Sequence, residues 1–206
     1  MEAKAMESSL QARERILIAA QKLFATKGYE QVTVREIAKE ANCSHTSIYL
    51  YYQDKRELLG QLAQQPLTEL LQQFESIHYR KEGSAEQKLI EIAKVYVKFG
   101  LLYRNLYQTF MTIEAGRVDE PGSDWKISKL RQQLFQLLQA SAAALLVHSE
   151  EDQVLAFSRI VFYQLHGTIT TYENSIEDMA QIEKRVLPLV EKSITYLMNG
   201  VSKHED

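Results

Sequence analysis

The sequence predicts an all-α fold of about nine helices, with a small three-helix head followed by a larger helical body. Apolar residues recur at helical spacing along nearly the whole chain, and the alternation typical of strands is almost absent. Three prolines and eight glycines divide these segments. The most informative stretch is 31–59, which reads as two short helices joined by a tight turn and so predicts a helix-turn-helix.

The head is expected to begin with a helix over about 9–27, closed by Gly28 in the left-handed position that ends many helices. Thr33 and Glu36 have the spacing of a capping box and open the second helix. Asn42 then supplies the turn, because asparagine tolerates left-handed backbone.

The third and fourth helices have their own start signals. Ser44 is placed to cap a short third helix, and Asp54 with Glu57 forms a second capping box. The fourth helix is expected to run to about Tyr79, with a kink at Pro66 because proline removes a backbone hydrogen bond.

The body accounts for the rest of the chain. We place the boundary at the start of the fourth helix, which gives a head at 1–54 and a body at 55–206 with no flexible linker between them. Further helices are expected over 84–103, 105–115, a segment ending at 147, 151–172 and 177–198, with loops at 80–84 and 116–123.

The composition, with 45% hydrophobic and 25% charged residues, is that of an ordinary soluble protein. No apolar run approaches the ~18 residues of a membrane span, and no secretory leader is evident. One cysteine, Cys43, excludes an internal disulfide and agrees with a cytoplasmic location. The net charge of −3 argues mildly against nucleic acid, although residues 1–60 hold nine Lys or Arg against eight Asp or Glu.

Residues 14–60 resemble the N-terminal DNA-binding region of the TetR family of bacterial transcription regulators. The resemblance rests on ILIAAQKLFATKGYEQVTVREIAKEANCS followed by SIYLYYQDKRELL, which carry F-A-x-x-G-Y, T-x-x-x-I-A and I-Y-x-Y-Y-x-x-K-x-x-L at the family's spacing. It covers roughly a quarter of the chain. Two positions depart from the pattern: Asn42 stands where glycine is usual, and Leu50 where a DNA-contacting polar or aromatic residue is frequent.

The resemblance implies that the third helix enters the major groove of DNA. The candidate DNA contacts are Thr33, Arg35, Ser44, His45, Thr46, Tyr49 and Lys55. Of these, His45 and Thr46 suit base edges, since they point away from the buried Ile48, and most of the others suit phosphates. The alternative is that these polar residues only solvate a small helical bundle.

Aromatic residues cluster on helices five to eight of the body. Tyr96, Phe99 and Tyr103 fall at i, i+3 and i+7, so they share one helix face. Either they form ordinary core, or some of them line a cavity for a small, partly apolar effector. The candidate effector contacts are Tyr96, Phe99, Tyr103, Tyr107, Phe110 and His166.

Helices eight and nine are apolar on more than one side. Helix eight carries one stripe of Val154, Phe157, Val161, Leu165 and Thr168 and another of Leu155, Phe162 and Ile169, and helix nine carries Val186, Leu189, Val190, Ile194 and Leu197. Because such helices must bury both sides, we expect a homodimer through 151–172 and 177–198. The alternative is a monomer with a thicker core.

Motifs of catalysis are missing from the sequence. It has no Gly-rich phosphate loop after a strand, no H-E-x-x-H and no nucleophile elbow, and its five histidines lack metal spacing. We expect no enzyme activity, cofactor or metal. The resemblance implies a ligand-responsive regulator, expected to be a repressor, that binds a palindromic operator as a homodimer and is released by a small molecule. The alternative is a helical interaction or small-molecule-binding module without DNA-binding activity.

Overall fold

The structure, a computed structural model, describes residues 2–112, 119, 125–173 and 175–202. Within these ranges it is all-helical, which confirms the predicted fold class. The helices are α1 (Glu2–Lys27), α2 (Val34–Glu40), α3 (His45–Tyr49), α4 (Lys55–Tyr79), α5 (Ala85–Leu102), α6 (Arg104–Thr112), α7 (Lys126–Ala143), α8 (Glu151–Thr171) and α9 (Met179–Ser202). None of the helices described in these ranges is long and apolar enough to cross a bilayer.

The predicted start and stop signals of the head are confirmed. Gly28 has φ +80°, and its N–H donates to the Phe24 carbonyl at 3.0 Å. The Glu36 N–H donates to Thr33 Oγ1 at 3.2 Å, and Thr33 N–H donates back to the Glu36 carboxylate at 2.9 Å. Asn42 has φ +52°, so the turn before α3 adopts the left-handed backbone that this residue tolerates.

Side-chain caps also fix the first turns of α3 and α4. The Ser47 N–H donates to Ser44 Oγ at 3.0 Å. The Glu57 N–H donates to Asp54 Oδ1 at 2.7 Å, and the Glu57 carboxylate accepts in return from Gln53 N–H at 2.7 Å. The cap is reciprocal as predicted, but the return bond reaches one residue further back than in a standard capping box.

Several helix boundaries differ from the prediction: α1 begins at Glu2 and not near 9, and α9 ends at Ser202 and not near 198. Helix α7 ends at Ala143, four residues before the expected end at 147, and α6 begins at Arg104. Helix α9 begins at Met179 and not at 177, because Asp178 accepts the Ala180 N–H at 3.1 Å and acts as its cap. The predicted end of helix six at 115 and the predicted loop at 116–123 lie outside the described residues, apart from Asp119.

Helix α4 is the element that joins head and body. It packs against α1 on the head side and against α5 and α7 in the body. Its first turns bury Leu58, Leu59 and Ala63, and its later turns bury Leu67 and Phe74 among others. The helix continues through Pro66 without interruption, and the bend expected there stays a prediction.

The apolar stripes of α8 and α9 lie largely within the chain's own core, whereas one side of each helix was expected to pack there and the other to face a partner. Val161, Leu165 and Ile169 of α8, and Val186, Val190 and Ile194 of α9, are each at most 1% exposed. The large apolar side chains that stay exposed are Ile160 and Tyr163 on α8 and Leu189 and Tyr196 on α9, and of these four Leu189 belongs to a predicted stripe. The sequence pattern did not indicate which side faces outward, and the dimer through these helices stays a prediction.

Helices α5 and α8 approach closely at Gly100. A Cβ atom at this position would lie 2.3 Å from Cδ1, 2.6 Å from Cγ1 and 2.7 Å from Cγ2 of Ile169. Since Ile169 is fully buried, the missing side chain of Gly100 is the space that the Ile169 side chain fills. This contact sets the distance between the two helices that carry much of the candidate effector site.

Candidate DNA-binding surface and effector cavity

Helix α3 presents a polar surface because one apolar side chain anchors it. Ile48 is fully buried in the head, whereas Ser44, His45 and Thr46 are exposed and Tyr49 is 50% exposed. The His45 and Tyr49 rings, one helical turn apart, meet edge to face with centroids at 5.0 Å. Hydroxyl and imidazole groups of this kind can read hydrogen-bonding groups on base edges in a major groove.

The start of α2 already holds an anion. The Glu36 carboxylate accepts from the Thr33 N–H and from the Lys27 ammonium, at 2.9 and 2.7 Å. These contacts, the Lys27 hydrogen bond first, lower the pKa of Glu36 to about 2. A DNA phosphate at Thr33 would therefore share the helix terminus with a carboxylate, while Arg35 on the same helix stays exposed.

The Lys55 ammonium is tied into the head. Its Nζ donates to the Tyr29 carbonyl at 2.8 Å and to the Val32 carbonyl at 3.1 Å, and it lies 4.1 Å from the centroid of the Tyr29 ring. Two of its three N–H donors thus serve the loop between α1 and α2. One donor remains for a phosphate, so the residue can stabilise the head and contact DNA together.

Tyr52 belongs to the core of the head. Its side chain is 1% exposed, and its hydroxyl donates to the Arg13 carbonyl at 3.2 Å. Burial raises the pKa of Tyr52. The residue therefore fixes α3 and the start of α4 against α1.

In the body, three of the six candidate effector contacts form one hydrogen-bonded chain. The hydroxyls of Tyr96 on α5 and Tyr107 on α6 lie 2.8 Å apart, and the Tyr107 hydroxyl lies 2.9 Å from Nδ1 of His166 on α8. Burial raises the pKa of both tyrosines. Burial, and then the charge of Arg131, lowers the pKa of His166. The chain is therefore uncharged at neutral pH, and the tautomer of His166 sets the direction of its protons.

Arg131 on α7 is a residue that the sequence analysis missed. It is 6% exposed, and its Nε is buried without a hydrogen-bond acceptor. Within the described ranges no carboxylate forms an ion pair with it. A signal was present, because Arg131 interrupts the apolar stripe of Ile127, Leu134 and Leu138.

Arg131 borders a small internal cavity of about 10 Å³. The other lining residues are Phe74, Tyr96, Met111, Leu134, Phe135, Leu138, Phe162 and Leu165. The space holds one water molecule at most. The wall is thus apolar except for one phenol and one cation, and it is contributed by α4 to α8.

The other three candidate effector contacts lie elsewhere. Phe99, Tyr103 and Phe110 form an aromatic row, with the Tyr103 ring centroid 5.1 Å from Phe99 and 6.1 Å from Phe110. They border two open clefts of about 320 and 300 Å³ that share Pro66 and Tyr103. The structure therefore divides the six residues between an enclosed site and a surface site next to α4.

Helices α4 and α7 are also in contact near the head. The Arg56 guanidinium lies over the Trp125 ring, 4.9 Å from its centroid. A Cβ atom at Gly60 would lie 3.3 Å from Trp125 Nε1. Trp125 precedes α7, the helix that carries Arg131, so one helix touches both the cavity and the first turns of α4. No group of three or more metal-ligating side chains occurs in the described part of the chain.

A capped three-helix head that exposes a polar third helix, and that shares a long helix with a helical body, defines a helix-turn-helix protein of the DNA-binding class. Residues 16–62 match the family model for bacterial regulatory proteins of the tetR family. The fatty acid metabolism regulator protein of Bacillus subtilis is 31% identical over 74 residues, which are 36% of this chain and 38% of that relative.

Two solved structures extend the likeness of fold to the body. PfmR, a TetR family transcriptional regulator from Thermus thermophilus, has a TM-score of 0.65 at 21% identity, covering 90% of this chain and 95% of that one. FadR from Bacillus subtilis, in complex with stearoyl-CoA, has a TM-score of 0.63 at 21% identity, covering 86% and 96%. The N-terminal region of the chain, residues 16–62, is similar to the tetR family of bacterial regulatory proteins, as the resemblance of residues 14–60 implies.

Proposed function

We propose that this protein is a DNA-binding transcription regulator that binds a palindromic operator as a homodimer. The observation that carries the proposal is α3, a short helix with one buried anchor at Ile48 and an outer surface of His45, Thr46 and Tyr49. Two copies related by a two-fold axis would reach successive major grooves ~34–36 Å apart.

Base contacts are assigned to His45 and Thr46 and phosphate contacts to Ser44, Tyr49, Thr33 and Lys55, with Arg35 able to serve either. Replacing His45 or Thr46 by alanine is expected to relax base preference and to cost ~1–3 kcal/mol per lost base contact. The measurement is binding to duplexes selected from a random library by the wild-type protein, and to single-base variants of them. The assignment fails if both variants keep the wild-type base preference.

Salt dependence separates a regulator from a helical interaction module without DNA-binding activity. A regulator binds even random duplex DNA at low salt, and its affinity falls steeply as salt rises, because each neutralised phosphate releases counterions. A chain with a net charge of −3 and no DNA-binding surface would show no such binding. If the wild-type protein does not bind random duplex DNA at low salt, the proposed function is refuted.

We infer that the dimer forms through α8 and α9. Ile160 and Tyr163 project from one side of α8, and Leu189 and Tyr196 from one side of α9, each at least 50% exposed. Four large apolar side chains on adjacent helices suit an obligate interface of ~2,000 Å² or more. Ile160→Glu is expected to cause aggregation or unfolding, whereas Ile176→Glu, at a fully exposed position outside these helices, is the matched control. A wild-type chain that sediments as a monomer at micromolar concentration contradicts the dimer.

Release by an effector follows from the way the two parts are joined. An effector that favours one arrangement of the body by a few kcal/mol is enough to shift the separation of two heads. The path runs through α4, whose Phe74 borders the cavity and whose Arg56 and Gly60 meet Trp125. The stearoyl-CoA complex of FadR, a protein of the same fold, supports an effector with an apolar part. In this scheme the protein acts in the cytoplasm as a repressor and the effector releases it from DNA.

A further inference from the structure

We propose that the internal cavity of the body takes an effector with a single carboxylate on an apolar chain, and that Arg131 holds the carboxylate. The proposal rests on the proposed function of the body as an effector site and specifies its chemistry. It comes from Arg131, the one buried cation among the body residues that the structure describes.

Arg131 carries a buried positive charge. An arginine side chain stays protonated in proteins, and a buried charge is costly unless a counter-charge and hydrogen bonds accompany it. Arg131 is 6% exposed, and its buried Nε has no acceptor. A group that costs stability without a partner indicates a partner that arrives later, and the planar guanidinium fits a carboxylate with two parallel hydrogen bonds.

The hydrogen-bonded chain of His166, Tyr107 and Tyr96 ends at the cavity that Arg131 also borders. When His166 Nδ1 carries the proton, it donates to the Tyr107 hydroxyl, Tyr107 donates to Tyr96, and the Tyr96 hydroxyl proton is left to donate elsewhere. Tyr96 borders the same cavity as Arg131. A carboxylate there would accept from Arg131 and from Tyr96 together.

The rest of the cavity wall is mostly apolar. Phe74, Leu134, Phe135 and Leu165 are buried apolar residues that line the cavity. They suit an alkyl or aryl chain and offer nothing to a second charge or to a sugar. The volume of about 10 Å³ is too small for such a chain, so binding must part the lining helices, α4 among them. The anion is thereby linked to the helix that the head shares.

Direct binding to the purified full-length protein tests the proposal. The probes are octanoate, decanoate and dodecanoate, each paired with its amide, which has nearly the same shape and no charge. Calorimetric titration in a chloride buffer, free of phosphate and acetate, is expected to show each binding acid ~10–100-fold tighter than its amide. In Arg131→Met the ratio should fall close to one, and in Arg131→Lys it should be intermediate because lysine lacks the planar fork.

Stability without effector supplies a second readout that a purely structural arginine would not give. Because the buried charge lacks a partner, Arg131→Met is expected to raise the melting temperature of the effector-free protein by ~2–8 °C. Arg80→Met is the matched control, since Arg80 is paired with Glu91 at 2.8 Å near the surface. That variant should keep the acid-to-amide ratio of the wild type and should not gain stability.

The outcomes separate this proposal from the proposed function. Equal affinity for acids and amides in the wild type overturns the carboxylate site, as does a large loss of stability in Arg131→Met, and either result leaves DNA binding untouched. If the acids bind selectively through Arg131 but the protein binds no DNA, the carboxylate site stands and the regulator does not.

Discussion

Lys55→Met is expected to destabilise the head and to weaken DNA binding in one variant. Methionine keeps the length of the aliphatic chain but removes the ammonium, which donates to the carbonyls of Tyr29 and Val32 and lies over the Tyr29 ring. Hydrogen bonds from a charged donor contribute ~1.5–3 kcal/mol. Since Lys55 is half-buried, the lower end applies, and a weak cation–π contact adds ~0.5 kcal/mol. Two such hydrogen bonds and the ring contact together contribute about 3.5 kcal/mol, or ~7–14 °C in melting temperature for a chain of this size.

The assay joins thermal unfolding with the salt dependence of binding to duplex DNA, measured well below the lowered melting temperature. If the third ammonium donor reaches a phosphate, the salt slope falls by about one unit and the loss of affinity is the same for every sequence. Lys39→Met, at an exposed position on α2, is the control for removal of one positive charge from the head. An unchanged melting temperature in Lys55→Met would refute the structural part of the reasoning, and altered base preference would refute the phosphate contact.

Two further predictions concern the body. Gly100→Ala should lower the free energy of unfolding by ~1–2 kcal/mol, because the clash with the buried Ile169 side chain exceeds the ~1 kcal/mol that alanine gains over glycine in a helix. The measurement is chemical denaturation, and the control is Gly200→Ala, where a Cβ atom would meet nothing within 4 Å and no loss is expected. His166 makes stability depend on pH, because its pKa lies below the ordinary value of 6.5 and the unfolded chain therefore takes up a proton before the folded one. Stability is kept above pH 6.5 and lost as the pH falls below it, in a window separate from that of Glu36 and Glu177, whose lowered pKa values act below 4.5. In His166→Gln the unfolding midpoint should change less between pH 6.5 and 5 than in the wild type. An equal change in both proteins would show that the protonation of His166 is not coupled to folding.

The head was predictable because its signals are local. The capping box at Thr33, the Ser44 cap of α3 and the left-handed turn at Asn42 depend on residues at most three positions apart, so the sequence alone specifies them. The hydrogen bonds of Lys55 within the head were not predictable in this way. Its acceptors, the carbonyls of Tyr29 and Val32, come from a loop more than twenty residues away, and any backbone carbonyl looks the same in a sequence.

The body was predictable as a set of helices but not as a site. Tyr96, Phe99 and Tyr103 share a helical face by spacing, yet Tyr96 bonds to Tyr107, which in turn bonds to His166, while the other two join Phe110 at a surface cleft. Small rotations along α5 separate these directions, and the packing of α6 and α8 decides them. The outward residues of α8 and α9 could not be assigned for the same reason, since a helix that is apolar all round does not indicate which side its own core will take.

The helix that head and body share has a consequence for how the protein can be divided. The early turns of α4 bury Leu58, Leu59 and Ala63, and its first residue, Lys55, bonds to the loop between α1 and α2. A fragment that stops at 54 would lack these contacts, so we expect the smallest fragment with a folded head to extend past Ala63. In the intact chain the head cannot lose its order without disturbing a helix whose other end is held by α5 and α7. Heat or denaturant should therefore unfold head and body in a single transition, with hydrogen exchange along α4 as slow near Leu59 as near Phe74.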